Sequence, residues 1–267
     1  MLLNYITWNV SPLFFRLGSL QVRWYGLFFA LAFYLGYVIL EKVVFKREGL
    51  PTGLLDRLAM YVVIATVVGA RLGHVLFYEP ASYLRDPVSI LKIWEGGLAS
   101  HGAAIGILIA LWLFARNSGK TYLWTVDRLV IVVALGGFFI RMGNLMNSEI
   151  YGHYTSLPWG FIFTRNGETQ PSHPTQIYEA LSYLILFFVL LRYYIRNYKT
   201  MKEGFIFGVF LIALFGIRFL IEFVKEPQVA FEQSMTLNMG QWLSIPFVLA
   251  GIWLLWRTDK KQVQIKK

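Results

Sequence analysis

The chain has 267 residues, of which 57% are hydrophobic and only 15% are charged. A globular domain carries about 25% charged residues on average, so this composition disfavours a protein that is surrounded by water. Cysteine is absent, which excludes disulfides, thiolate metal sites and a cysteine nucleophile. A net charge of +10 would suit nucleic acid, but the charges follow the pattern of membrane topology instead.

Apolar stretches of about 20 residues, the length that crosses the hydrocarbon of a bilayer, recur along the chain. They lack the polar faces that a soluble helical bundle shows at helical period. We therefore predict an all-α, polytopic integral membrane bundle of about seven transmembrane helices, forming a single integral domain over residues 1–267. The predicted spans are residues 22–40, 58–78, 97–115, 126–146, 176–195, 204–224 and 239–256.

Lysine and arginine are distributed unevenly between the two predicted membrane faces. Of the 25, 16 lie on the side that carries the C-terminal tail, six on the other side and three inside spans. The positive-inside rule then predicts a cytoplasmic C-terminus and a periplasmic N-terminus. Topology explains the basic charge, so no nucleic-acid partner is expected. The long outer connection at about 147–175, rich in Gly, Pro and aromatic residues, predicts a small ordered periplasmic cap.

Ionisable residues within the spans gather towards one membrane face. A charge in the bilayer is costly, so each such residue is a candidate for function. All lie in the outer halves or at the outer ends, whereas a transporter needs polar groups near the midplane. The pattern predicts a site that opens towards the outer leaflet. These residues are Arg71, His74, His101, Arg141, Glu179, Arg218 and Glu222.

The three arginines inside spans are suited to phosphate, because the planar guanidinium group binds a phosphate through two parallel hydrogen bonds. Cations that converge in apolar surroundings need anionic partners. Glu149, Glu179 and Glu222 can supply part of that charge, and a phospholipid headgroup can supply the rest. A simple ion pair between Arg218 and Glu222 on one helix face is the alternative for those two residues.

The histidines differ in their sequence surroundings. His101 lies among Gly and Ala residues at a predicted helix start, and its ring can accept a proton near neutral pH. It is therefore the candidate base. His74 is better explained as a satisfied interfacial residue, and His173, before Pro174, is expected to shape the entry to the fifth span. No pair has the spacing of a zinc motif, so no metal is expected.

The run from Arg141 to Gly152 places polar residues where an apolar helix meets the outer interface. If the helix continues, Arg141, Asn144 and Ser148 share one face. Gly143 and Gly152 leave room for a ligand or for a second backbone. A polar helix end with capping side chains is the alternative.

This run, RMGNLMNSEIYG, resembles the signature of the bacterial prolipoprotein diacylglyceryl transferase family. Six further runs resemble that family in the same order, so the similarity covers nearly the whole chain. They are RWYG at 23–26, GARLG at 69–73, GGLASHG at 96–102, HPTQIYE at 173–179, RFLIEF at 218–223 and MGQ at 239–241. The chain departs from the pattern at Ala70, Leu145 and Leu214, and none of these changes removes a charge.

The resemblance implies an enzyme of the bacterial inner membrane with its site towards the periplasm and with no cofactor. It implies transfer of a diacylglyceryl group from phosphatidylglycerol to the lipobox cysteine of a prolipoprotein signal peptide, with membrane lipids as further partners. The product is a thioether, and glycerol phosphate is released. The catalytic candidates are Tyr25, His101, Arg141 and Arg218. The substrate-binding candidates are Arg71, Arg141, Asn144, Asn147, Glu149, Gly152, His173, Gln176, Glu179 and Glu222.

Three other functions make different demands on the sequence. A transporter or flippase of an anionic phospholipid predicts polar residues in both halves of the spans. A seven-helix photoreceptor needs a buried lysine in the last span, and residues 239–256 contain none. An intramembrane serine protease would be indicated by a G-x-S-x-G run, which this sequence lacks, although Ser100 is adjacent to His101.

Overall fold

The computed structural model describes residues 5–18, 20–227, 232 and 235–265, which are mostly helical with two small sheets. The strands are β1 (Ile6–Trp8), β2 (Leu13–Leu17), β3 (Leu20–Arg23) and β4 (Phe161–Phe163). The α-helices are α1 (Trp24–Ile39), α2 (Lys46–Glu48), α3 (Thr52–Phe77), α4 (Pro80–Arg85), α5 (Ser100–Ser118), α6 (Tyr122–Met146), α7 (Thr175–Asn197), α8 (Phe205–Ile221) and α9 (Met239–Ile265). Leu40–Phe45 forms a π-helical link, and 3₁₀ turns occupy Pro87–Leu91, Ile93–Glu95, Thr164–Asn166 and Glu222–Val224.

Six helices of the described chain are long and apolar enough to cross a membrane, which confirms the polytopic all-α class. They are Trp24–Glu48, Thr52–Phe77, Tyr122–Met146, Thr175–Asn197, Phe205–Val224 and Met239–Thr258. The remaining predicted span, 97–115, coincides with α5, whose 19 residues begin with Ser100 and His101 and end with polar residues. The count of seven spans and the orientation of the termini stay predictions.

The chain folds as two compact units. The first unit combines the residues up to Ile39 with those from Asp127 onwards, and the second is Leu40–Val126. The single integral domain that the sequence suggested stays a prediction.

In the first unit, α8 packs against both α7 and α9. Glycines let α8 and α9 approach closely, because a methyl group on Gly251 would lie 2.8 Å from the carbonyl oxygen of Gly208. Further along the same pair of helices, the rings of Phe215 and Phe247 stack with their centroids 4.2 Å apart. Small and aromatic residues thus align the helices that carry the charged residues described below.

An ordered cap covers the end of α6, as expected for residues 147–175. Strand β1, from the beginning of the chain, pairs in parallel with β4 of the cap. Leu145, Phe161 and Phe163 form its buried core, and Trp8 packs against it. The indole nitrogen of Trp8 also donates a hydrogen bond to the carbonyl oxygen of Leu145 at 3.0 Å. The strand before the first span therefore fixes the end of the fourth predicted span.

Asp127 links α6 to the beginning of α8. Its carboxylate accepts hydrogen bonds from the backbone N–H groups of Gly204 at 2.6 Å and Phe207 at 2.8 Å. The residue is fully buried. The first N–H groups of a helix have no partner within the helix, so a carboxylate from another helix can accept their hydrogen bonds. Its negative charge also interacts favourably with the positive end of the helix dipole.

We expect Asp127→Ala to lower the free energy of unfolding by about 1–2 kcal/mol, the usual cost of losing a helix cap. Asp127→Asn should cost less, because the amide oxygen still accepts one of the two hydrogen bonds. The melting temperature in detergent measures both effects. Asp86→Ala is the control, because the Asp86 side chain is exposed and makes no cap hydrogen bond. An unchanged melting temperature for Asp127→Ala would contradict the capping role.

In the second unit, α3 and α5 pack backbone to backbone through glycines. Gly69 and Gly73 of α3 face Gly102 and Gly106 of α5. A methyl group on Gly102 would fall on the carbonyl oxygen of Gly69 and lie 2.6 Å from the Cα atom of Gly73. Small residues at such interfaces allow the close van der Waals packing that holds membrane helices together.

Gly102→Ala should therefore force α3 and α5 apart, since both atoms that it meets belong to the backbone. We expect a loss of about 1–3 kcal/mol, the usual cost of overpacking, and a lower yield of folded protein in detergent. The matched control is Gly53→Ala on α3, where an added methyl group meets open space. Equal melting temperatures for the two variants would show that this helix pair does not need its glycines.

Candidate active site

The ends of α6, α7 and α8 bring buried ionisable side chains together in the first unit. The Nε atom of Arg141 lies 2.8 Å from one carboxylate oxygen of Glu179. The ammonium nitrogen of Lys225 lies 3.5 Å from the other oxygen of Glu179 and 3.4 Å from Glu222. Arg218, one turn before Glu222, is close enough to act electrostatically on Lys225. We call these five residues the charged cluster.

Three members of the charged cluster are buried, whereas Arg141 and Arg218 are partly exposed. Glu179 is 0% exposed, Lys225 2% and Glu222 8%. Buried charges need close partners, because each loses its hydration. The Nε atom of Arg218 is also buried, yet it has no hydrogen-bond partner among the described residues. A guanidinium donor in this state is suited to an anion.

The motif after Arg141 continues the network from the charged cluster. Arg141 donates a hydrogen bond to the side-chain oxygen of Asn144 at 3.2 Å. Asn144 and Asn147 in turn donate to one carboxylate oxygen of Glu149, at 2.7 and 3.2 Å. The predicted shared face therefore holds for Arg141 and Asn144. It is wrong for Ser148, because α6 ends at Met146 and Ser148 adopts a left-handed conformation with φ of 57°.

Side chains of the cap and of α7 hold the turn that carries Glu149. Non-glycine residues with positive φ are strained by about 1–3 kcal/mol, so surrounding contacts must fix them. The backbone carbonyl of Glu149 accepts a hydrogen bond from Gln176 at 2.7 Å. The neighbouring carbonyls of Ser148 and Ile150 accept from Asn166 and Thr175 at 2.6 and 2.8 Å. Gln176, predicted to bind substrate, thus holds the Glu149 backbone in this structure.

Gly152 and His173 lie at the edge of the same network. Gly152 forms an antiparallel bridge with Lys225, and its backbone N–H donates to the carbonyl oxygen of His173 at 2.9 Å. The His173 ring nitrogen Nδ1 lies 3.2 Å from the Tyr178 hydroxyl. Burial, together with the neighbouring His153, lowers the pKa of His173, so this ring is neutral at neutral pH.

Two tyrosines lie near Arg141, and the ring of each packs against a glycine of α6. The ring of Tyr25, in the first turn of α1, lies against Gly143, where a methyl group would come within 2.7 Å of the ring. Tyr183 of α7 lies against Gly137 in the same way and is hydrogen-bonded to Arg141. Tyr25 is a predicted site residue, whereas no motif in the sequence singles out Tyr183.

Arg71 lies in the second unit, where backbone carbonyls occupy its guanidinium group. It donates to the carbonyls of Ile90 at 2.9 Å, Gly96 at 2.6 Å and Gly97 at 3.1 Å. It is almost fully buried, and its guanidinium carbon lies 4.9 Å from the centre of the Tyr83 ring. This geometry indicates that Arg71 holds the loop between α4 and α5. Its predicted part in substrate binding stays a prediction that these contacts do not support.

His101 also belongs to the second unit, as the second residue of α5. Its exposed ring packs edge-on against Phe77 at 5.2 Å and beside Tyr78 at 5.8 Å. His74 lies 3.7 Å from Glu79 and stacks on Tyr78, as expected of a satisfied interfacial residue. The role of His101 as a base stays a prediction.

Lys225 is the principal residue of the charged cluster that the sequence analysis missed. It is one of the six basic residues on the predicted outer side, where topology alone accounts for a positive charge. Its position three residues after Glu222 matches the spacing of a helical ion pair, and that spacing was the available signal. Glu222 pairs with Lys225, so the ion pair between Arg218 and Glu222 that the sequence allows stays a prediction.

An arginine held by a buried carboxylate, at one end of apolar spans, defines a class of protein: a multi-pass membrane protein with a charged site at the ends of its helices. Residues 12–257 match the family model described as prolipoprotein diacylglyceryl transferase. The chain is 50% identical to the phosphatidylglycerol–prolipoprotein diacylglyceryl transferase of Tolumonas auensis, covering 96% of this chain and 99% of that protein.

Further relatives carry the same name. The protein of Porphyromonas gingivalis is 48% identical, covering 98% of each chain. That of Chloroherpeton thalassium is 43% identical, covering 99% of this chain and 98% of the relative. The chain therefore belongs to the prolipoprotein diacylglyceryl transferase family.

Proposed function

We propose that this protein transfers the diacylglyceryl group of phosphatidylglycerol to a cysteine thiol of a prolipoprotein, the first step of lipoprotein maturation. The observation that carries the proposal is the buried Nε atom of Arg218, which has no hydrogen-bond partner in the part of the chain that the structure describes and lies in the same cluster as Arg141. Two guanidinium groups in apolar surroundings suit a phosphodiester. The printed names of the relatives supply the two substrates.

The reaction joins sulfur to carbon and separates carbon from oxygen. The thiolate attacks C3 of the diacylglyceryl group, and the C–O bond to phosphate breaks. The electron pair of that bond stays with the phosphate oxygen, so glycerol phosphate leaves and a thioether forms. Arg141 and Arg218 stabilise the charge that develops on this oxygen, as donors aimed at a developing anion do in other enzymes.

The thiol must lose a proton before or during the attack. A peptide cysteine has a pKa of about 8.5, so a base or a positive field is required at neutral pH. We assign the base to His101, whose ring is exposed at the start of α5. Tyr25 orients the headgroup through its hydroxyl, and Asn144 with Glu149 fixes Arg141.

The proposed setting is the inner membrane of a bacterium, with the charged cluster towards the periplasm. The excess of Lys and Arg on the opposite side of the predicted bundle supports this orientation. The protein partner is a signal peptide with a lipobox cysteine. Such a segment is apolar, so it reaches the site laterally through the bilayer rather than from water.

The test uses purified protein in micelles that contain phosphatidylglycerol, together with a synthetic lipobox peptide. Mass spectrometry should detect a diacylglyceryl thioether on the peptide, and none on a matched peptide with Cys→Ser. If folded protein yields no product, the protein should be reconstituted in vesicles with labelled phosphatidylglycerol. Movement of intact lipid between leaflets would then establish the flippase alternative.

A further inference from the structure

Lys225 occupies the centre of the charged cluster. Its ammonium group lies between two carboxylates, 3.5 Å from Glu179 and 3.4 Å from Glu222, and its side chain is 1% exposed. Glu179 uses its second oxygen for Arg141. Lys225 therefore joins the carboxylate that holds Arg141 to the carboxylate that follows Arg218.

Backbone pairing fixes the position of Lys225. The segment from Val224 to Glu226 runs beside the end of the Arg141–Gly152 motif, with His153 donating to Val224 at 2.9 Å and Glu226 donating to Tyr151 at 3.3 Å. Lys225 itself pairs with Gly152 in an antiparallel bridge.

Glycine is required at position 152 because of this pairing. A methyl group there would fall on the carbonyl oxygen of Val224 and lie 2.8 Å from Thr175. Gly152 thus accommodates the backbone of the Lys225 segment. This contact gives Gly152 a structural role that does not depend on binding substrate.

The positive charge of Lys225 sets the balance between cations and carboxylates at the site, and this balance determines whether an anion can bind there. Three cations, Arg141, Arg218 and Lys225, stand against Glu179 and Glu222 within the charged cluster and Glu149 beside it. Without Lys225, the carboxylates would outnumber the cations. Glu179 and Glu222 would then compete with a phosphate for the two guanidinium groups.

We infer that Lys225, seated by Gly152, is a positioning residue that neutralises Glu179 and Glu222 and so leaves Arg141 and Arg218 available to phosphate. The inference rests on the proposed function and assigns Lys225 no contact with the reacting atoms. Its ammonium group is a compact point charge, which suits a position between two carboxylates.

Lys225→Met should raise the KM for phosphatidylglycerol at least about tenfold, because a buried carboxylate loses its partner. The kcat should change less, since Arg141 and Arg218 remain. Glu179 and Glu222 then compete with the phosphate for the guanidinium groups of Arg141 and Arg218. The charged groups that face Lys225 are those two carboxylates and the two arginines, while α9 contributes the uncharged Gly240 beside Glu222.

The experiment measures initial rates against phosphatidylglycerol concentration for the wild type and each variant, together with the melting temperature of each protein. Lys42→Met is the matched control, because Lys42 forms an exposed ion pair with Glu41 at 3.0 Å. Gly152→Ala should reproduce the rise in KM, since its methyl group displaces the Lys225 segment. Lys225→Arg, which keeps the charge, should stay within about threefold of the wild type.

The outcomes separate this inference from the proposed function. A wild-type protein without transfer activity would refute the proposed function itself. If the wild type is active, an unchanged KM in folded Lys225→Met would overturn the inference. If Lys225→Met does not fold, Lys225→Arg decides: a normal KM supports the charge role, and a tenfold rise with a normal melting temperature refutes it.

Discussion

Arg141→Ala should reduce the rate of transfer by about 10²–10³-fold, the usual cost of removing one donor that stabilises a developing anion. The variant should still fold, because Glu179 keeps its ion pair with Lys225 when Arg141 is absent. Arg141→Lys should fall between the variant and the wild type. It keeps the positive charge but loses the second donor that reaches Asn144.

Initial rates at saturating phosphatidylglycerol measure this effect. The matched control is Arg196→Ala, since Arg196 is exposed near the opposite end of α7 from Glu179. Near-normal activity in folded Arg141→Ala would mean that the Arg141–Glu179 pair is structural. In that case Arg141→Ala should lower the melting temperature and leave the rate of transfer nearly unchanged.

Arg218→Gln should reduce kcat/KM by at least about 100-fold while leaving the melting temperature unchanged or raised. The Nε atom of Arg218 is buried without a hydrogen-bond partner among the described residues. Its removal therefore relieves a desolvated donor instead of breaking a bond. A loss of activity without a loss of stability distinguishes a group kept for its ligand from one kept for the fold.

Ligand-induced stabilisation provides an independent measurement for Arg218. Glycerol phosphate should raise the melting temperature of the wild type, because a ligand that binds only the folded state stabilises it. It should have a much smaller effect on Arg218→Gln. The corresponding shift in Lys202→Met serves as the control, because Lys202 donates to the carbonyl oxygen of Thr258 at 3.0 Å, at the other end of α8. Equal shifts in wild type and Arg218→Gln would place the phosphate elsewhere.

The fold class was predictable because the bilayer restricts the possible structures. Every backbone polar group in hydrocarbon must be satisfied within the chain, so long apolar stretches become helices. The cost of burying charge also pointed to Arg141, Glu179 and Glu222, which the structure brings together. These predictions depend on the free-energy cost of placing a given residue in the bilayer, and that cost can be judged for each residue separately.

Contacts between distant residues were not predictable in the same way. The hydrogen bond from Trp8 to Leu145 spans 137 positions, and that from Gly204 to Asp127 spans 77. Neither leaves a local pattern in the sequence. Lys225 was misread because a lysine next to a span usually lies in the interface. Its bridge to Gly152 places it beside the glutamates.

Arg71 has partners in the structure that its sequence position did not suggest. The cost of a buried charge correctly marked it as important, but that cost does not reveal its partner. Backbone carbonyls of the loop after α4 satisfy it, in the same way that a phosphate would. A sequence identifies a buried donor more readily than the acceptor that it meets.

The mechanism can be tested by following one oxygen atom. Phosphatidylglycerol is prepared with ¹⁸O at the bridge between the diacylglyceryl C3 carbon and phosphorus, and is incubated with the protein and a lipobox peptide. We expect one glycerol phosphate for each thioether, with all of the ¹⁸O in the glycerol phosphate, because the C–O bond breaks. Label retained on the diacylglyceryl product, or release of glycerol phosphate without a modified peptide, would contradict transfer at carbon with phosphate as the leaving group.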